Sequence, residues 1–255
     1  MCKRKTTCCM LLGLFMAAAP FAFAEEQAQI SRLPPLPQPL DPILRDMFDR
    51  SRAMGGAVIN LTLTTGHAPK FARASGVMAL TIRFETSTPR RLIELVIFRT
   101  AQIVGSDYEL NQHTPLMKLC GYSDQQIAEI ADWRRSTSFD DKQRAALDYV
   151  EQMAHGGNVD DPTFAELSRS FTPQQIVEIS YTVGTYYSTG LLTKAAQDST
   201  GDRRTPYRSR RMLGRRARII RNWAAPMRQI GGTRCRDTPP ALACCASTRH
   251  SCHGG

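Results

Sequence analysis

The sequence predicts an all-α fold, a bundle of about seven to eight helices, and three observations carry that reading. Helix-start signals, a Ser, Thr or Asp followed by proline or by glutamine three residues on, recur from Asp41 to Thr172. Between them apolar residues return at helical spacing, as in Leu92, Leu95, Val96 and Ile103. No hairpin signal competes, and short loops between capped helices mean a bundle around one core.

In chain order, Lys3, Arg4 and Lys5 precede an apolar stretch from Met10 to Phe23, and Ala22-Phe23-Ala24 ends it with small residues. That order of charge, apolar core and small residues predicts a signal peptide, residues 1–24, cut after Ala24, and hence a periplasmic or secreted protein. Residues 25–40 end in Leu33-Pro-Pro-Leu-Pro-Gln-Pro39, an extended lead-in, because proline withholds the helical hydrogen bond. Asp41-Pro42 then opens a helix through about Met54, which Gly55-Gly56 stops.

Ala57 to Thr65 and Pro69 to Phe84 are the next two helical segments, although the β-branched run from Val58 also alternates like a strand. Thr88-Pro89 repeats the cap-plus-proline signal and starts the clearest helix, ending at Gly105. Five more are expected: Asp107 to about Cys120; one opened by the box Ser123 to Gln126; Asp140 to about His155; Pro162 to Arg169; and one from the box at Thr172 to about Ala196. The helical domain is thus 41–197. Residues 198–255 form a tail rich in Arg and Cys, whose composition is that of a disordered segment.

Charge and cysteine both divide along these boundaries. Of the formal net charge of +10, the leader carries +3 and residues 201–255 carry +11, which leaves −4 for residues 25–200. A mildly acidic domain is no nucleic-acid partner, and membrane contact is expected only through the basic segment around Arg203 to Arg221. Seven of the eight cysteines fall in the leader or the tail, and only Cys120 lies in the domain, where packing is its expected role. One thiol makes no disulfide framework, and no metal-ligand spacing occurs.

The residues able to carry chemistry cluster in Arg91-Leu-Ile-Glu94 and Ser106-Asp-Tyr108-Glu109-Leu-Asn-Gln-His113. Ser106, Glu109 and His113 share one side of a helix, with Glu109 and His113 as i,i+4 neighbours. A carboxylate beside an imidazole raises the ring's pKa, which suits proton transfer near neutral pH. Glu94 joins them if the two helices fold back on each other at Gly105. A plainer arrangement stays open: Ser106 and Glu109 form a capping box, Glu94 pairs with Arg91 or Arg99, and His113 is an ordinary buried histidine.

At these residues the sequence resembles the carboxymuconolactone decarboxylase family, whose relatives include the alkylhydroperoxidase D-like proteins. The resemblance rests on Arg91-Leu-x-Glu94-Leu-Val-Ile97, then Ser106, Glu109 and His113, then Gly121-x-Ser123 with Ile127. Phe171-Thr172-x-x-Gln175-x-Val177-Glu178 and Val183-Gly184-x-Tyr186-Tyr187 extend it. It implies the alkylhydroperoxidase D-like bundle, assembly into a trimer or hexamer, and no cofactor. In the peroxidase branch two cysteines stand where this chain has Ser106 and Glu109. A hydroxyl and a carboxylate cannot cycle through thiolate, sulfenate and disulfide, so dithiol peroxidase chemistry is disfavoured.

What the resemblance then implies is the decarboxylase branch, acting on a small carboxylic acid or lactone. His113 is the expected acid/base, Glu109 its orienting partner and Glu94 a relay. Ser106 and Tyr108 are expected substrate contacts, and Arg99 a further candidate for the substrate carboxylate. The alternative is a non-enzymatic, oligomeric small-molecule binder or scaffold with a vestigial site.

Overall fold

In the computed structural model, residues 31–53 and 56–198 are described. The expected leader cleavage and the tail lie outside them. Among the described residues there are nine α-helices and one 3₁₀ turn, with no strand. The nine helices correspond to the nine segments read in order along the sequence, slightly more than the seven to eight expected of the bundle.

Helix α1 is Pro42–Ala53, α2 is Asn60–Thr65, α3 is Pro69–Phe84, α4 is Arg90–Val104 and α5 is Asp107–Leu119. Then come α6, Asp124–Glu129, with the 3₁₀ turn Ile130–Asp132, and α7, Asp141–Ala154; α8 is Asp161–Ser170 and α9 is Pro173–Ala196. Most starts match the sequence signals. The boxes at Ser123 and Thr172 form as read, and a third, Asp140 with Gln143, was not read from the sequence.

Two local expectations are corrected. The helix expected from Ala57 begins only at Asn60, because Ile59 is extended and caps nothing with its side chain. Thr88 does not cap α4: the N-cap is Pro89, which has no side chain to offer. The α4 start is instead held from across the fold. Glu178 on α9 accepts from the backbone N–H of Ser87 and of Thr88, each at 2.8 Å, and from the Thr88 hydroxyl at 2.6 Å.

Helix α4 is the hub, packing on α9, α5 and α7. Its Ile93, Leu95, Val96, Ile97 and Ala101 are fully buried, as in a helix packed against several neighbours. The main core gathers Leu95 and Val96 with Met117, Ile130, Leu147, Val150, Leu167 and Ile179, from α5, the 3₁₀ turn, α7, α8 and α9. A smaller cluster of Leu44, Met47, Phe48 and Ala72 joins α1 to α3, and the lead-in covers it with Leu36 and Leu40. Residues 31–40 therefore lie on the domain, tied by Arg32 N–H to the Ala196 carbonyl at 2.7 Å.

Two glycines set the approach of helices around the future site. Gly105 ends α4 in the left-handed region at φ 72°, and the N–H of Ser106 reaches back to the Ala101 carbonyl at 3.0 Å. Only Gly105 and Ser106 separate α4 from α5, so the two helices fold into a tight hairpin. Gly190 lets α9 lie on that hairpin's turn: a Cβ there would stand 3.0 Å from Val104 Cγ1.

Candidate active site

The hairpin brings Glu94, on α4, against Glu109 and His113, on α5. Ring nitrogen Nδ1 of His113 is 2.7 Å from Glu94 Oε2, and Nε2 is 3.5 Å from Glu109 Oε2. All three are withdrawn from water, with exposures of 0% for Glu94, 2% for Glu109 and 4% for His113. The imidazole is thus clamped between two buried carboxylates.

The capping alternative is half realised. Ser106 Oγ does accept from the Glu109 N–H, as an N-cap should. The return bond is not made, because the Ser106 N–H goes to Ala101 and the Glu109 carboxylate turns to His113. Ser106 also shares a 2.9 Å hydrogen bond with the Thr193 hydroxyl of α9, which anchors that helix to the start of α5.

Glu94 is paired with neither Arg91 nor Arg99. Its partner is Arg90, one helical turn earlier, whose guanidinium donates to Glu94 Oε1. Arg90–Glu94 has the i,i+4 spacing of a helical ion pair, and that was the signal in the sequence. Arg90 also donates to the Arg83 carbonyl at 2.8 Å. The result is a row of alternating charge, Arg90, Glu94, His113, Glu109.

Burial would push the His113 ring toward neutrality, but the charge of Glu94 and hydrogen bonds to Glu109 and Glu94 outweigh it and raise its pKa to about 9. Burial likewise opposes ionisation of Glu94; the His113 charge and hydrogen bond, with Arg90 and Arg83, outweigh it and hold its carboxyl below the usual range. At neutral pH the ring is an imidazolium, an acid with a proton to give.

Other expected site residues are engaged elsewhere. Arg99 Nε donates to Glu151 Oε1 on α7 at 2.8 Å and its Nη1 to Gln102, so it does not join the cluster. The Tyr108 hydroxyl accepts from the Leu61 N–H at 3.1 Å, tying α5 to α2. Cys120 caps the end of α5 and packs on the main core, with burial pushing its thiol pKa up. Tyr186 sets its ring edge-on to His113 at 5.2 Å and 87°, and is buried with Ile82, Ile93 and Ile97.

Two grooves are found among the described residues. A groove of about 600 Å³ runs between Ile103, Met153, Val183 and Tyr187, and a second of about 460 Å³ passes Met78, Tyr181 and Ser188. Neither is lined by Glu94, Glu109 or His113. Side chains fill the space around the imidazole instead, Tyr186 first among them.

The helix order and the hairpin define the class: an all-α domain with an alkylhydroperoxidase D-like fold. Residues 69–152 match the model of the Carboxymuconolactone decarboxylase family, so the resemblance read from the motifs holds over that stretch. Among solved structures, an uncharacterized peroxidase-related protein from Ralstonia eutropha JMP134 with an alkylhydroperoxidase AhpD core is similar over 68% of this chain and 94% of its own. Its TM-score is 0.61 at 18% identity. A putative antioxidant defence protein AhpD from Agrobacterium tumefaciens matches over 53% of this chain and 93% of its own, with TM-score 0.51 and 20% identity. The debrominase Bmp8, in complex with 2,3,4-tribromopyrrole, matches over 66% and 90%, with TM-score 0.54 and 19% identity. No curated protein is significantly similar in sequence.

Proposed function

We propose that this domain is a cofactor-free acid/base enzyme that decarboxylates or opens a small lactone or carboxylic acid, with His113 as its proton donor. The observation that carries the reading is the imidazolium held between Glu94 and Glu109 in dry surroundings. The two nitrogens are held unequally. Nδ1, at 2.7 Å from Glu94, is anchored, and Nε2, at 3.5 Å from Glu109, carries the looser proton. When carbon dioxide leaves, the C–C electron pair stays on the substrate carbon; the Nε2 proton forms the new C–H bond, and the neutral ring regains a proton from water through the carboxylates. Arg90 keeps Glu94 ionised, and the apolar wall strengthens each of these charges.

Dithiol peroxidase chemistry stands outside this reading, since Ser106 and Glu109 occupy the places that the family resemblance assigns to the two cysteines. Arg99 and Tyr108 are dropped as substrate contacts, because Glu151 and Leu61 hold them in support of the helices. Export is part of the proposal, supported by the order of residues 1–24, and so is self-association. An exposed side of α9, Val177, Tyr181, Gly184, Ser188 and Leu191, carries no charge and supports a homo-oligomer.

A second reading, a non-enzymatic binder, draws on the absence of the cluster from the walls of both described grooves. One experiment separates the two. The purified protein is incubated with a panel of small lactone and keto acids, and carbon dioxide release is measured beside His113→Ala. Release by the parent that falls at least a hundredfold in the variant is the expected result. Release unaffected by the substitution, or none from any acid, overturns the enzyme reading.

A further inference from the structure

Glu94 and Glu109 present four carboxylate oxygens to this site, and three are engaged: one with Arg90, two with the nitrogens of His113. The fourth, Glu109 Oε1, is buried and accepts no hydrogen bond. Its side chain cannot turn away to water, because Oε2 faces His113 and the backbone N–H is fixed by Ser106. A buried carboxylate oxygen with no donor has lost its hydration without replacement, a state that native proteins seldom keep without a use for it.

The remaining groups around it do not satisfy that oxygen. Both His113 protons are taken, and the Ser106 hydroxyl lies against Thr193. Tyr186 meets His113 with its ring edge. Since the ring at neutral pH already carries both protons, it cannot be the group that receives another.

We propose that Glu109 Oε1 is the acceptor for an O–H or N–H group of the substrate, so that the site selects small molecules bearing a hydroxyl, enol, acid or N–H proton. This rests on the acid/base reading above and narrows it: the substrate arrives with a proton to share, and Glu109 is a binding residue as well as a partner of His113. An analogue with that proton replaced by methyl leaves a buried acceptor unpaired and is rejected, as in other sites built to bond a substrate hydroxyl.

Phenol and anisole test it, as a pair alike in shape apart from the donor. The ¹⁵N-labelled full chain is titrated with each at pH 7, and the ring nitrogens of His113 are followed by NMR, with His67 and His155 as references. Phenol is expected to shift His113 Nε2 saturably, with a Kd at least about tenfold below that for anisole. Glu109→Gln, which turns part of the acceptor into a donor, should erase the difference. Equal responses to both probes, no response to either, or a phenol preference that survives in Glu109→Gln would overturn the proposal. If Glu109→Gln does not fold, the two titrations of the parent protein decide alone. No turnover is involved. Phenol selectivity without carbon dioxide release from any acid therefore sinks only the enzyme reading, and release without selectivity sinks only this one.

Discussion

His113 Nδ1 lies 2.7 Å from Glu94 Oε2, on the other arm of a hairpin whose turn spends only two residues, Gly105 and Ser106, between helices. With both side chains buried, the bond has no competition from water, and it fixes which face of the ring is anchored.

The ring should therefore titrate late. A ¹⁵N NMR titration is expected to place the His113 pKa at about 9, and Glu94→Gln should lower it by at least about one unit. Stability follows with a definite sign. A pKa raised in the folded state stabilises fully below the unfolded value of about 6.5, and that contribution is lost as pH climbs toward 9. Urea unfolding across this range should show a fall on the order of a few kcal/mol that is missing in His113→Ala.

Glu94→Ala should be among the most destabilising single changes in the domain. It leaves half-buried Arg90 without its carboxylate and buried His113 with Glu109 alone, a loss of about 3–5 kcal/mol in equilibrium unfolding. A loss below about 1 kcal/mol would mean that water reaches these groups and that the site is not dry.

Glu178 should act as a remote cap for α4. Burial raises its pKa, but bonds from the Thr88 hydroxyl, the Ser87 N–H, Gln174 and the Thr88 N–H outweigh this and bring it down to about 2. A lowered pKa stabilises above about 4.5 and fades as pH falls toward 2. Glu178→Ala is expected to cost about 1–2 kcal/mol at neutral pH and to remove that acid limb from a thermal-unfolding series.

Tyr181, 61% exposed on the uncharged side of α9, is the natural probe of self-association. Tyr181→Lys should leave helicity by circular dichroism unchanged and reduce the mass found by sedimentation to that of one chain. A parent protein that already sediments as a monomer would remove the oligomer from the proposal.

Much of this was legible because it is local. A capping box is one side chain bonding a backbone three residues away, and Gly105 turns a helix through its own φ, so helix ends at Ser123, Thr172 and Gly105 follow from adjacent residues. Glu109 and His113 face each other for the same reason. Glu94 could be added because only two residues, Gly105 and Ser106, join its helix to theirs. The Thr88 cap failed where a local rule met a distant competitor, Glu178, 90 residues along the chain.

By itself, then, the sequence determined the all-α class, nearly every helix boundary and the pairing of Glu109 with His113, since each depends on neighbours within about one helical turn. Only the tertiary structure decided that Arg90 and Tyr186 complete the site, that Glu151 holds Arg99 and Leu61 holds Tyr108, and that side chains fill the space around the imidazole. Those outcomes depend on how far each helix is rotated and how close α9 can come across Gly190, which the packing of the whole core sets.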